Sequence, residues 1–490
     1  MSQVHSKGAA VQSFREIAEK VGRSVLESER PVVCVQGLGF VGSAMAIAVA
    51  NGRDLSGQPY FNVIGVELPS AEGLTKIEAI NAGRFPFRST DAALLSALRE
   101  AYSVGNLVAT SDPEAYALAS TIIVDVNLDV IEAQDGPYLA LDDFRSAVKV
   151  IGKFLQPGCL VIIETTVPPG ACEKVVLPEL AAAVKARGLS ENSFLLAHSY
   201  ERVMPGRNYL DSIVNYWRVY AGVTPEAAEA CEAVLSKVID VENYPLTRLA
   251  SITASETGKV LENSYRATTI AFIEEWRKFA ETIGIDLFEV ISAIRKRPTH
   301  SNIREPGFGV GGYCLTKDPF LAILASRELF DLHDMTFPFC ELAIATNRSL
   351  PLASLDKVQQ MLGGDIKGKS LLLLGVSYRP HIGDTRFSPS QVFVEQARAR
   401  GAKIECCDPF VDYWPELDEK VRFELPIPHT VDAVIFAVAH ERYRNLDVKE
   451  WLKESTPAIV DGSNVLSKKQ RDVLRAAGCK VATIGRGDGL

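Results

Sequence analysis

Pro31-Val-Val-Cys-Val-Gln-Gly-Leu-Gly-Phe-Val-Gly-Ser-Ala-Met-Ala-Ile-Ala-Val-Ala50 passes from one apolar run through three glycines into another. The first run, rich in valine, reads as a buried strand, and the second reads as a helix. Gly37, Gly39 and Gly42 are spaced GxGxxG at the junction. The first glycine allows a tight turn, the second lets backbone approach a pyrophosphate, and the third lets helix pack on strand. The N–H groups opening the helix then face the negative phosphates. Phe40 and Val41, between the last two glycines, belong to the same cofactor-binding set. Glu67 ends the next apolar run, VIGVEL, about 25 residues past Gly42,. An acid there accepts ribose hydroxyls and disfavours a 2′-phosphate, so NAD is expected rather than NADP. The spacing is somewhat long, and DLSGQPYF reads as the extra loop.

Outward from this stretch, NVIGVEL, TIIVDVNL, CLVIIETTV and SFLLAHS read as further buried strands between helical patterns. The alternation over residues 32 to 225 predicts a parallel sheet with helices on both faces,. From Thr224 the pattern turns helical, with one long segment, LASITASETGKVLENSYRATTIAFIEEWRKFAETIG, suited to connecting or dimerising. From Lys367 alternation returns in SLLLLGVSY, KIECCD, DAVIFAVA, AIVDGSN and KVATIG, a second and smaller doubly wound sheet. Its first turn, LLLLGVSY, lacks GxGxxG and should not hold a dinucleotide in the usual way,. The expected domains are an N-terminal helical extension (1–30), an NAD-binding domain (31–223), a central helical domain (224–350) and a C-terminal α/β domain (351–490). The extension carries Phe14, Ile17, Ala18, Val21 and Val25 at helical spacing and lacks the apolar core of a secretory signal,.

With 490 residues, 47% of them hydrophobic and a net charge of -9, the chain does not have the basic character of a nucleic-acid binder,. No apolar run approaches the roughly 20 residues that span a membrane. Nine cysteines, scattered without a CxxC pair, read as reduced thiols in a cytoplasm, and no His/Cys spacing points to a metal,.

Two further places carry chemistry. Lys259 and Asn263 are four apart in a helical pattern and share a face, where a cation and an amide donor would hold a developing oxyanion,. Cys314 follows Gly307, Gly309, Gly311 and Gly312, and precedes Lys317 and Asp318. The glycines remove side chains so that something can approach closely. Asp318-Pro319 reads as an N-cap with proline at the first helical position. That places the thiol just before a helix N-terminus and beside Lys317, both of which favour thiolate. A thiolate adds to an aldehyde, hydride loss to NAD makes a thioester, and water releases an acid.

These residues resemble the UDP-glucose/GDP-mannose dehydrogenase family over nearly the whole chain after residue 30. The resemblance rests on GLGFVG, ETTVPPG (164–170), SYERVMPG (199–206), KVLENSYR (259–266), GVGGYCLTKDP (309–319) and GVSYRPHIGDTRFSP (375–389). It implies oxidation of the C6 alcohol of a nucleotide sugar to a carboxylate with two NAD. It also implies an N-terminal Rossmann domain, a central helical dimerisation domain and a smaller Rossmann-like C-terminal domain that helps bind UDP. By the same resemblance Cys314 is the nucleophile, Lys259 and Asn263 are the oxyanion pair, and Asp318 assists water or proton transfer. Glu201 serves proton transfer and thioester hydrolysis, Thr166 positions water, and Arg386 reaches the shared cofactor and substrate region. The Gly307–Gly312 loop wraps the substrate nucleotide, with Tyr313, Lys317, Glu201 and Arg202 also on the substrate side. The family expectation is a cytoplasmic homodimer serving surface polysaccharide.

The chain departs from the family at Tyr200 (usually Pro), Tyr313 (usually Ser or His), Trp217 (Pro), Arg379 (Lys) and DVNLD at 125–129, in place of a VPTP-like segment. YERVMPG and ENSYR resemble the branch acting on UDP-N-acetylhexosamines, whereas CLTKDP resembles the UDP-glucose and GDP-mannose branches. The expected substrate is therefore a UDP-N-acetylhexosamine, with UDP-glucose next. Arg202, Arg207, Arg218, Arg295, Lys296, Arg297 and Arg304 are candidates for its diphosphate. Two other readings compete: a two-electron β-hydroxyacid dehydrogenase, which has no use for Cys314, and a non-enzymatic NAD sensor or assembly protein.

Overall fold

The computed structural model describes residues 29–133 and 136–487, so the helix expected over residues 1–30 lies outside the described residues. Two compact units make up the chain. One runs to Leu261 and takes in Phe320–Met335; the other holds Glu262–Pro319 and the chain from Thr336 on. The boundary cuts two helices, Ile252–Thr282 and Tyr313–Leu324.

In the first unit the strands are β1 (Val32–Gln36), β2 (Asn62–Val66), β3 (Leu107–Thr110), β4 (Thr121–Val124), β5 (Asp129–Ala133), β6 (Gly136–Ala140), β7 (Leu160–Ile163), β8 (Leu195–His198), β9 (Val219–Gly222) and β10 (Thr247–Arg248). Eight of them form one sheet in the order β10-β9-β8-β7-β4-β1-β2-β3, while β5 and β6 pair as a separate hairpin. Alternation along the strands divides the core in two. Cys34, Ile64, Ile122 and Val124 enter one cluster, and Val33, Val35, Val63 and Ile123 enter the other. Both faces are thus covered, which is why these strands read as unbroken apolar runs. β1 pairs with β2 on one side and β4 on the other, so the strand order reverses there and a crevice opens beyond their carboxyl ends,.

The purely parallel expectation fails at one edge. β9 runs antiparallel to β8, and β10 follows β9 in parallel. An antiparallel neighbour such as β9, one strand in from the edge, needs no crossover helix to follow β8,.

The second unit carries the helical region and a smaller sheet. Ala267, Ala271 and Ala343 let the long helix pack closely on Pro338–Met361. This second helix runs through residue 350, where a domain boundary was expected. Its strands are β11 (Ser370–Leu374), β12 (Lys403–Cys407), β13 (Tyr413–Trp414), β14 (Glu419–Lys420), β15 (Ala433–Phe436), β16 (Ala458–Asp461) and β17 (Val481–Thr483). Five make a wholly parallel sheet ordered β12-β11-β15-β16-β17. The chain is therefore an N-terminal Rossmann domain, a central helical region and a smaller Rossmann-like domain.

Candidate active site

The glycine turn sits at the carboxyl end of β1. Gly37 has φ 89°, and a Cβ there would stand 2.7 Å from the Asp125 carbonyl oxygen. A Cβ on Gly42 would stand 1.9 Å from the Gly37 oxygen, so only glycine lets the helix Phe40–Ala50 close on the turn. Gly39 differs: nothing lies within 4 Å of a Cβ there, which leaves backbone open to a ligand. No side chain caps the helix, so its opening N–H groups point to the same place,. Leu38 N–H donates to Glu67 Oε2 at 2.9 Å, and Lys76 stands 3.7 Å from that carboxylate. An open turn, an uncapped helix start and an acid at the end of β2 together fit a dinucleotide with free ribose hydroxyls.

Still in the first unit, the ETTVPPG loop follows β7. Gly170, at φ 87°, lies under the Phe330 ring. The Gly170 and Cys172 N–H groups both donate to Glu256, at 2.6 and 2.7 Å. Burial raises the Glu256 carboxyl to about 7, against the lowering effect of those bonds. Thr166 lies half-buried in this loop. Beyond β8, Lys259 Nζ donates to the Glu201 carbonyl oxygen at 2.7 Å and stands 3.4 Å from Glu201 Oε1. Tyr200 presents its ring to the Lys259 ammonium at 5.5 Å and to the Arg202 guanidinium at 5.2 Å. Arg202 also donates to the Trp217 carbonyl at 2.5 Å. His198, bonded through Nδ1 to Ser255 at 2.8 Å, is pushed down to about 3 by burial and then by Lys259 and Arg218. It is neutral at any working pH.

In the second unit, Asn263 Nδ2 donates to Asp318 Oδ2 at 2.7 Å, and Lys317 Nζ reaches Asp318 Oδ1 at 3.1 Å. Asp318 is 1% exposed, so an amide and an ammonium hold a buried carboxylate,. Asp318 is not the helix cap expected from sequence. The helix begins at Tyr313 and carries Pro319 inside it. Gly312, at φ 79°, ends the loop, and the Thr316 hydroxyl donates to the Gly312 carbonyl at 2.7 Å, so the first turn closes early. Cys314 accordingly lies within that turn rather than before the helix. Among the described residues it is the exposed cysteine, while the other eight are buried.

The glycine loop also differs from expectation. A Cβ on Gly311 would meet the Phe387 carbonyl at 2.4 Å, and one on Gly312 the Tyr378 ring at 2.8 Å. The approach those glycines permit is by the chain's own 378–389 loop; Gly307 alone is open, with nothing within 4 Å. Gly309, at φ 112°, faces Pro389 at 3.2 Å. Arg386 grips Asp384 with two bonds, of 2.9 and 2.7 Å, and lies 4.6 Å from the Tyr313 ring. Two diphosphate candidates are otherwise engaged. Arg218 is buried against Glu164, and Arg295 bonds Glu305 and the Ile303 carbonyl. Sequence reasoning missed Glu256, His198 and Tyr378. Glu256 alone left a trace, one helical turn before Lys259.

Residues 32–239 match the NAD binding domain of the UDP-glucose/GDP-mannose dehydrogenase family, 253–349 its central domain and 372–468 its UDP binding domain. The UDP-N-acetyl-D-mannosamine dehydrogenase of Methanocaldococcus jannaschii is 30% identical over 465 residues, 93% of this chain and 96% of that one. The NDP-N-acetyl-D-galactosaminuronic acid dehydrogenase of Ralstonia nicotianae is 28% identical over 89% of this chain and 97% of its own. The solved structure of the UDP-D-ManNAc dehydrogenase from Pyrococcus horikoshii superposes with a TM-score of 0.77 at 26% identity, covering 93% of this chain and 100% of that one.

Proposed function

The chain belongs to the UDP-glucose/GDP-mannose dehydrogenase family, NAD-dependent oxidoreductases of nucleotide sugars, and from that premise we propose that it oxidises the C6 alcohol of a UDP-N-acetylhexosamine to the uronic acid. UDP-N-acetyl-D-mannosamine is the first substrate to try, because relatives bearing that name align along nearly their full length. The observation that supports the chemistry is the exposed thiol of Cys314 in the first turn of a helix, where the positive end of the helix dipole favours thiolate,.

NAD, when bound, supplies the hydride acceptor for both oxidation steps. Gly37, Gly39, Phe40, Val41, Gly42 and Glu67 hold it, with Arg386 reaching toward the region it shares with substrate. The Cys314 thiolate adds to the C6 aldehyde, and the oxygen that gains the electron pair is met by Lys259 and Asn263. Loss of hydride from that carbon leaves a thioester on Cys314. Water, positioned by Thr166 and relieved of a proton by Glu201 or Asp318, releases the acid and returns the thiolate. Arg202, Tyr313, Lys317 and the loop Gly307, Gly309, Gly311 and Gly312 shape the substrate side.

The acting form is a homodimer. Tyr265, Phe272, Trp276 and Phe279 recur along one face of the long helix and, with Ile283 just past its end, are each about half exposed, which favours a second copy there,. No helix among the described residues is long and apolar enough to cross a membrane. We place the protein in the cytoplasm, where NAD is available and Cys314 stays reduced.

Mixing the protein with NAD and a panel of UDP-sugars and GDP-mannose should yield two NADH per sugar with the UDP-N-acetylhexosamine, and little aldehyde. One NADH with accumulating aldehyde would instead support the two-electron reading. Cys314→Ser should lower acid formation by about a thousandfold or more while NADH affinity is unchanged. Acid made at the normal rate would remove Cys314 from the chemistry.

A further inference from the structure

Asp125 follows β4 at the point inside the sheet where the strand order reverses, and nothing in the oxidation uses it. Its backbone is part of the cofactor turn. The Asp125 N–H donates to the Gln36 carbonyl at 2.8 Å. Its carbonyl oxygen fills the space beside Gly37, and its Cβ lies 3.2 Å from where a Cβ on Gly42 would be. A shift of Asp125 therefore shifts the turn.

The side chain is in an unusual position. Both carboxyl oxygens are shut off from solvent and meet no N–H or O–H donor among the described residues; the bond open to them is a proton shared with Glu164. Glu164 follows β7, which pairs with β4 in the register Val124↔Ile163, so the two carboxyls stand side by side. Glu164 Oε1 takes the Arg218 guanidinium, while its Oε2 also lacks a partner. The charged groups facing Asp125 are Glu164 from β7, Glu201 from the loop after β8, and Arg218 from the segment before β9. Arg218 is taken by Glu164 and Lys259 by Glu201, so neither cation is bonded to Asp125. A second buried carboxylate beside Glu164 would cost several kcal/mol uncompensated, so the group keeps its proton instead. Burial first, then Glu164, pushes the Asp125 carboxyl well above the ordinary carboxylate range.

We propose that Asp125 is a positioning residue, a neutral acid that shares one proton with Glu164 and so holds the glycine turn in the form that receives NAD. Losing that proton sets two carboxylates against each other beneath the turn, and the turn gives way. Cofactor affinity is then tied to pH through a residue that need not touch the cofactor.

The test is NADH binding to the full chain, followed by fluorescence from pH 6.5 to 9.5, for the native protein and Asp125→Asn. Native affinity should fall by about tenfold across that range, while the amide variant, which cannot ionise, should hold the neutral-pH value throughout. Thermal unfolding without ligand gives a second readout. A raised carboxyl stabilises fully below the unfolded-state value of about 4 and loses that contribution as pH rises through the folded value. The melting temperature of Asp125→Asn should therefore gain on the native protein as pH rises. Parallel pH curves for the two proteins overturn the proposal. So does a variant that melts normally yet binds NADH about tenfold more weakly at pH 7. Asp125→Ser repeats the test if the amide variant does not fold; failure of both neutral variants to fold would mean the charge is needed, and the idea falls.

Discussion

The two α/β domains begin alike and end differently. In the first, Gly37 N–H donates to the Val66 carbonyl at the end of β2, and the next residue, Leu38, donates to Glu67 just beyond. In the second, Gly375 N–H donates to the Cys407 carbonyl at the end of β12, and the next residue, Val376, donates to Asp408. Both glycines have positive φ, and both acids follow the second strand. The divergence comes one residue later. Gly39 is bare and open, whereas Ser377 is buried, its hydroxyl 3.1 Å from Asp408 and 3.2 Å from His440 Nε2. Asp408 is fully buried, while the Glu67 side chain keeps 13% exposure. A Cβ on Gly375 would stand 2.4 Å from the Val438 side chain. The same topology makes a cofactor crevice when the turn stays empty, and an ordinary core when side chains fill it.

Four substitutions probe that contrast, in falling order of effect. Gly42→Val puts side-chain carbon into the Gly37 carbonyl and should cost about 4 kcal/mol or more, seen as loss of both NADH binding and thermal stability,. Gly39→Leu should separate the two readouts. With nothing near its Cβ the fold should survive with a near-normal melting temperature, while NADH affinity falls by about a hundredfold,. A loss of stability comparable to that of Gly42→Val would show that Gly39 serves packing rather than approach.

Asp408→Asn acts on the filled crevice. It should cost about 2 kcal/mol of stability and leave NADH affinity untouched. Burial alone would raise Asp408, but His440 and the N–H groups of Ser377 and Val376 outweigh it and hold the acid below its ordinary range. Its contribution is therefore present above about pH 4 and lost as pH falls through the folded value. The gap in melting temperature between native and Asp408→Asn should close in acid. Glu67→Gln should be the mildest, weakening NADH binding by about fivefold and narrowing the preference over NADPH, for about 1 kcal/mol of lost acceptor strength. Unchanged discrimination would remove the acid from ribose recognition.

Much of this was legible in local spacing. Glycines at fixed offsets between a strand and a helix specify a turn, because what they relieve lies a few residues away. Apolar runs marked the strands buried on both faces, and missed β3, β9 and β10, which lack that context or sit at an edge. The antiparallel β9 left no mark, since direction is a property of pairing and not of the strand. The early start of the Tyr313 helix was obscured by Asp318-Pro319, whose cap-like signature Gly312 and Thr316 override.

The chain's own letters sufficed for the glycine turn and for most strand and helix segments, and they named the residues proposed for the chemistry. Only the folded chain decided what each of those residues is held by: Lys259 by Glu201, Asn263 by Asp318, the ETTVPPG loop by Glu256, and Asp125 by its place beside Glu164. These partners lie far apart along the chain, and hydrogen bonds and buried charges answer to distance in space. Spacing along the sequence carries no record of that distance.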